Sequence, residues 1–320
     1  MRAVVYDEYG TPSNLRVERI PVPSPRAGEV LIRVVTTSIN LSDWEGLRGD
    51  PLYARMGGLR RPARRVLGSD IAGTVVAVWQ DVTRLAVGDE VYGDILEHKG
   101  GFAEYAIARA SALARKPSTL TFAQACAIPQ SGEIAVEAMR NARPGSRLLV
   151  NGGGGGSGAF LLQLARAAGV HATGVDSAPK LDFMRRMGAD EVLDYRAHDF
   201  TRTGPYDLVI DLVAYRSVFA YRRALALRGR AMVVGGTTRV LLRMLTIGAL
   251  TGLLTGTRLG MLAVRTGPTR FEPLAARCGA GEIEVPIDSE YPLAQTAEAI
   301  AHHGEGRALG KVVVRVADDR

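Results

Sequence analysis

Cysteine is nearly absent from this chain of 320 residues, with Cys126 and Cys278 the only two. Two thiols cannot build a disulfide framework or a four-cysteine zinc lobe, so a reducing, cytoplasmic setting is expected. Lysine is almost as scarce: Lys99, Lys116, Lys180 and Lys311 are the whole set. The net charge of +7 therefore rests on arginines scattered through the chain. Their densest cluster, LRRPARR at 59–65, has no interleaved aromatics. That argues against a nucleic-acid surface and leaves attraction of an anionic small molecule as the use of the charge. The opening MRAVVYDEYG lacks the basic-then-apolar plan of a secretory leader and is expected as a first strand. No apolar run reaches the ~20 residues a bilayer span requires. In the most apolar stretch, Val240 to Val264, Arg243 and Arg258 bracket an uncharged run of 14 residues, expected as a buried helix or an apolar lid.

What is present is the balance of a globular α/β protein, 47% hydrophobic and 23% charged. Up to about residue 120 the chain is strand-rich. EVLIRVVTTSI, DIAGTVVAVW and DEVYGDI are β-branched runs punctuated by Gly, Pro and Asp turns. From residue 121 helical spacing appears, and strands then alternate with helices: RLLVN, AFLLQLARAAG, HATGVD, KLDFMRRMGAD, EVLDY, YDLVIDLV, VFAYRRALAL and RAMVVGG. This alternation predicts a doubly wound parallel sheet covered on both faces.

Five consecutive glycines, Gly152 to Gly156, sit between a buried strand and an amphipathic helix, where a linker would be out of place. Gly153, Gly155 and Gly158 match G-x-G-x-x-G, and Asp176 closes the next strand about 20 residues on. Glycine permits a tight turn and close approach of backbone to a pyrophosphate, and the helix start offers free N–H groups. Gly156 belongs to the same cradle, and Ser157 adds a hydroxyl donor. A bound dinucleotide is the reading.

Several stretches together resemble the medium-chain dehydrogenase/reductase superfamily, in its zinc-free branch of quinone and enone reductases. These are PSPRAGEVLIRV, SINLSDW, VLGSDIAGTVVAV, VTRLAVGDEVYG, GGFAEYAIA, the glycine loop, MGADEVLDY and IDSEYPLAQTAEAI followed by GRALGKVVV, in the family's order. The resemblance implies a GroES-like β domain from residues 1–120 and 271–320, a Rossmann domain at 121–270, and an active site in the cleft. Zinc-dependent relatives carry a cysteine and a histidine where Asn40 and Ser69 stand, beside Asp70, so no metal is expected. Without a Lewis acid, an acceptor that delocalises charge, such as a quinone or enone, is the easier substrate.

The resemblance also suggests roles. Ser177, Lys180 and Tyr195, with Arg196 adjacent, align with positions that hold a 2′-phosphate, favouring NADP(H). Asp176 instead suits the free ribose of NAD(H). Leu212, Val213, Gly235 and Gly236 fall on the nicotinamide side. Ile134 and Ala214 replace a common threonine and glycine there. Asn40 is expected to donate to a carbonyl or hold the ribose, and Asp43 to brace the same turn or act at the site. The family's tyrosine positions hold Glu45 and Pro51, so nearby Tyr53, or solvent, would supply the proton. Trp44 is expected as a pocket wall or packing residue, and His302–His303 as an exposed helix end. The alternatives are a natural-product tailoring reductase, a redox-neutral cyclase and a non-catalytic cofactor-binding protein. The expected substrate is small and apolar. The strand MLAVR, 261–265, lies where relatives pair across a homodimer.

Overall fold

The computed structural model describes residues 1–56 and 58–317. The chain forms two compact units, Met1–Glu133 with Arg265–Arg320, and Ile134–Val264. The first unit opens with β1 (Arg2–Val5), β2 (Arg16–Arg19), β3 (Glu29–Ser38), α1 (Leu41–Arg48), β4 (Asp70–Val78), β5 (Glu90–Asp94), β6 (Tyr105–Arg109) and β7 (Leu113–Arg115). It continues through α2 (Phe122–Cys126) into α3 (Pro129–Met139). The second unit follows with β8 (Arg147–Asn151), α4 (Gly156–Ala167), β9 (His171–Asp176), α5 (Leu181–Arg186), β10 (Glu191–Asp194) and β11 (Tyr206–Asp211). It ends with α6 (Val218–Ala224), β12 (Leu225–Val233), α7 (Thr238–Arg243), α8 (Ala249–Thr255) and β13 (Arg258–Met261). The return segment adds α9 (Pro268–Gly279), β14 (Ile287–Pro292), α10 (Thr296–Gly304) and β15 (Lys311–Arg315) to the first unit.

In the first unit β3 is the spine. It lies between β15 and β4 in the order β14-β15-β3-β4-β5-β7, and β6 pairs with its opening half. Buried Val30, Ile32 and Val34 alternate along that half, as a strand with one apolar face demands, and pack on Ile71, Val91 and Val312. The register sets Ser38 opposite both Asp70 and Val313. At the end of β3, the Asp43 carboxylate accepts from Asn40 N and so starts α1, and Gly49, at φ 61°, stops it.

The second unit is a six-stranded, wholly parallel sheet in the order β10-β9-β8-β11-β12-β13. Leu148, Leu149 and Val150 in β8 are fully buried, as strands covered on both faces require. The order reverses at β8, the place where such sheets open a crevice beyond their carboxyl ends. Asn151, Asp176, Asp194, Asp211 and Val233 are those ends.

Five expectations change, the first being the strand expected at 261–265, which runs over Arg258–Met261 instead. The Val240–Val264 stretch is helical over Thr238–Thr255, but most of that helix is exposed or half-exposed, so it is not a buried helix. VFAYRRALAL is helical only to Ala224, because Leu225 takes up extended backbone and pairs beside Tyr206. The units divide at 133/134 and 264/265, whereas the residue texture changes at 120 and 270: α2 is helical, yet it packs on β3 and β4. His302 is not a free exposed residue; its Nε2 lies 2.7 Å from Asp288 Oδ2.

Candidate active site

Each glycine of the loop after β8 has its own reason. Gly152 turns the chain at φ 87°, and its N–H donates to Val175 O on β9. A Cβ on Gly153 would lie 2.7 Å from Met184 Sδ. One on Gly158 would run into Gly152 O and come within 2.6 Å of Gly153 Cα, so α4 can approach β8 only without a side chain there. Around Gly155, the N-cap of α4, the nearest atom to a built Cβ is Gly152 O at 3.6 Å. That is room for an anion. The N–H groups of Gly156, Ser157 and Gly158 lie in the first turn of α4, where no intrahelical acceptor exists. With the helix dipole they form a cradle for negative charge.

Beside it, Asp176 turns inward. Its Oδ2 accepts from Gly154 N at 3.0 Å and its Oδ1 from Ser177 N at 2.8 Å. Lys180 is 6% exposed, its stem lies against Gly154, and its Nζ is 3.8 Å from Asp176 Oδ1. Parallel pairing sets Asp194 beside Asp176, so Tyr195, whose N–H donates to Asp176 O, lies next to this group. Tyr195 is 38% exposed, and the Arg196 guanidinium sits 5.5 Å from its ring centroid.

One strand over, the buried Asp211 carboxylate organises the next loop. It accepts from Asn151 Nδ2 (2.8 Å), Val213 N (2.9 Å), Ala214 N (2.7 Å) and Tyr221 OH (2.7 Å). Four donors satisfy it fully, which its burial requires. Leu212 N donates to Asn151 O, and Val213 is left half-exposed. Ala214 holds φ 55°, a left-handed conformation that favours glycine. A Cβ on Gly236 would lie 2.7 Å from the Ala214 Cβ, so this loop and Gly235–Gly236 are adjacent.

The first unit buries a second polar cluster at the carboxyl end of β3. Both Asn40 amide hydrogens are engaged, toward Ser69 Oγ at 3.1 Å and Asp70 Oδ2 at 2.9 Å. Its Oδ1 accepts from Lys311 Nζ at 2.6 Å, and that Nζ also reaches Ile39 O at 3.3 Å and Asp70 Oδ2 at 3.5 Å. Asp70 takes Gln130 N as well. Burial pushes the Asp70 carboxyl up, and Lys311 and Asn40 pull against it. Asp43 gives its two oxygens to the backbone amides of Asn40 and Gly68; burial raises it to about 6. The Tyr53 hydroxyl donates to Glu45 Oε1 at 2.9 Å. Burial raises both partners, and the Glu45 charge raises Tyr53 further. Trp44 packs against α10, where a Cβ on Gly304 would strike its ring. Further along, burial and then the Asp70 charge raise Asp94 to about 7. Burial lifts Glu133 to about 8; its Oε1 accepts from Gly267 N at 2.7 Å, and its buried Oε2 has no hydrogen-bond partner among the described residues.

The structure thus gathers the nucleotide candidates from Gly153 to Gly236 at the carboxyl ends of the strands of one parallel sheet, and joins Asn40 to Asp43 in the first unit. Sequence reasoning missed Lys311 and Tyr221. For Lys311 a signal existed: a lysine opening the buried run KVVV must find a partner. Among the described residues no group of three or more His, Cys, Asp or Glu is arranged to hold a metal.

Residues 26–118 match the alcohol dehydrogenase GroES-like domain, and 187–314 the zinc-binding dehydrogenase family. The chain is 30% identical to the chloroplastic quinone-oxidoreductase QR1 of Triphysaria versicolor, covering 98% of each. It is also 30% identical to the chloroplastic NADPH-dependent alkenal/one oxidoreductase of Arabidopsis thaliana, covering 98% of this chain and 79% of that one. The structure of the quinone oxidoreductase from Coxiella burnetii superposes with TM-score 0.90 at 26% identity over 99% of both chains. With these matches, a Rossmann-type parallel sheet and a GroES-like sheet, the chain belongs to the medium-chain dehydrogenase/reductase superfamily, in its zinc-independent, quinone-oxidoreductase-like branch.

Proposed function

We propose that this oxidoreductase uses NADPH to reduce a quinone, enone or related activated carbonyl acceptor. The observation that carries the reading is the anion cradle at the start of α4, flanked by Ser177, Lys180 and Tyr195. Gly153, Gly155, Gly156, Ser157 and Gly158 would hold the pyrophosphate. Asp176 has both oxygens drawn back onto main-chain N–H groups, which reduces its repulsion of a 2′-phosphate on the outer side. Lys180 and Arg196 would supply charge-assisted contacts to that phosphate. Leu212, Val213, Gly235 and Gly236 would border the nicotinamide, which supplies hydride when bound. The names of the quinone and alkenal/one oxidoreductase relatives support the acceptor class.

The Asn40–Ser69–Asp70 cluster does not suit zinc. Its oxygens already hold the Lys311 amine, and a divalent cation would have to displace it. We assign Asn40 and Asp43 a positioning role, since each spends its side chain on neighbouring groups, and Tyr53 the role of proton donor. To serve so, the Tyr53 hydroxyl would have to turn from Glu45 Oε1 toward the developing enolate. We further propose that β13, the outermost strand of its sheet, pairs with a second copy. The deciding experiment is steady-state oxidation of NADPH and NADH with simple quinones and enones. Turnover preferring NADPH supports the reading, and tight nucleotide binding without turnover by any acceptor overturns it in favour of a non-catalytic binding protein.

A further inference from the structure

The helical segment Thr238–Thr255 touches its own unit through a narrow stripe. Val240, Met244, Gly248 and Gly252, spaced by four, are its buried residues. A Cβ on Gly252 would lie 2.8 Å from Thr257 O, and one on Gly248 3.4 Å from Leu259 O, so small residues seat the helix directly on the backbone leading into β13. Four α-helical residues overshoot one turn by about 40°. The wider π-helical turn Met244–Gly248 between α7 and α8 offsets that drift and keeps the stripe on one side. Among the remaining residues, five leucines stand out to solvent: Leu242 (58% exposed), Leu245 (59%), Leu250 (59%), Leu253 (82%) and Leu254 (77%).

The segment that carries this face has charge of one sign, although Arg216 and Arg223 pair with Asp199 from outside it. From Leu212 to Val264 the chain has eight arginines and no aspartate or glutamate. Arg239 and Arg243 share a flank at four-residue spacing, and Arg258 opens the strand beneath; all three are exposed, with no carboxylate in ion-pair distance among the described residues. A row of leucines rimmed by unpaired arginines fits a surface that is apolar within and anionic at its edge. Because the glycine stripe pins the helix to its sheet, it can lie in such a surface but not cross it.

We propose that α7–α8 docks this protein in the plane of an anionic lipid membrane, its leucines in the acyl boundary and its arginines among the headgroups. The inference is independent of the assigned reaction. The test is flotation of the full chain with vesicles of phosphatidylcholine alone and of phosphatidylcholine mixed with phosphatidylglycerol, at low and at raised salt. Partitioning on the order of 100-fold stronger onto the anionic vesicles, weakened by salt, is expected for three arginines at the surface. L250E/L253E/L254E should abolish flotation while leaving nucleotide binding and the circular dichroism spectrum unchanged. R239Q/R243Q/R258Q should erase the preference for anionic lipid. Two results overturn the proposal. One is a wild-type chain that floats no better than the triple glutamate variant. The other is a wild-type dimer that the triple variant converts to monomer in light scattering, without vesicle binding, which would make the helix face a contact between copies.

Discussion

At the scale of single residues, Gly158 and Lys180 carry the sharpest predictions. A Cβ at Gly158 collides with main chain rather than with a movable side chain. Gly158→Ala should therefore cost about 1–3 kcal/mol of stability and weaken nucleotide binding at least tenfold, roughly, read by urea unfolding and by titration. Lys180→Ala should lower NADPH affinity by roughly 10- to 100-fold and leave NADH affinity nearly unchanged, because only NADPH offers the extra phosphate. Equal losses for both nucleotides would show that Lys180 serves the loop through Gly154 and not the ligand. Tyr53→Phe should reduce kcat by about 100-fold with little change in KM. An unchanged kcat would hand the proton transfer to solvent.

At the scale of elements, β15 and β3 are joined through their ends by Lys311. Lys311→Met leaves the buried Asp70 carboxylate and Asn40 Oδ1 without this partner and should cost about 3–5 kcal/mol. Adding Asp70→Asn should recover part of that loss, as a double-mutant cycle by denaturant unfolding would reveal. The elements themselves were largely legible in the residues. RLLVN, HATGVD and EVLDY announce buried parallel strands by apolar runs, and the glycine loop announces its helix. The placement of Asp176 was not legible: whether its carboxylate faces a ribose or the Gly154 amide depends on a turn geometry that no spacing rule encodes. Nor was the exposure of Leu250 and Leu253, since an apolar run reads the same whether it faces a core or a lipid. Lys311 lies some 270 residues from Asn40 in the chain, at a separation of 271, beyond any local pattern.

At the scale of the whole molecule, the first unit stores buried carboxyl groups with raised proton affinity. Glu133 ordinarily titrates at 4.5 but near 8 in the folded chain, Asp94 near 7 and Asp43 near 6. Across that interval the folded state holds protons that the unfolded state has released. Stability therefore falls as pH rises from about 4 to 8 and levels off above. Glu133→Gln keeps an acceptor for Gly267 N–H but removes one titration. The variant should flatten the profile and, above pH 8, melt higher than the parent by roughly 2–4 °C per kcal/mol regained, read by thermal scans across pH. A profile that overlays the parent's would remove Glu133 from this account.

The bond from Gly154 N to Asp176 Oδ2 ties the glycine turn to the neighbouring strand before any phosphate arrives. The disorder lost in shaping that turn is thus settled when the chain folds, not when it meets its ligand. Calorimetry of Asp176→Ala should show the debt transferred: a less favourable entropy of association, from a loop that must first be gathered into shape.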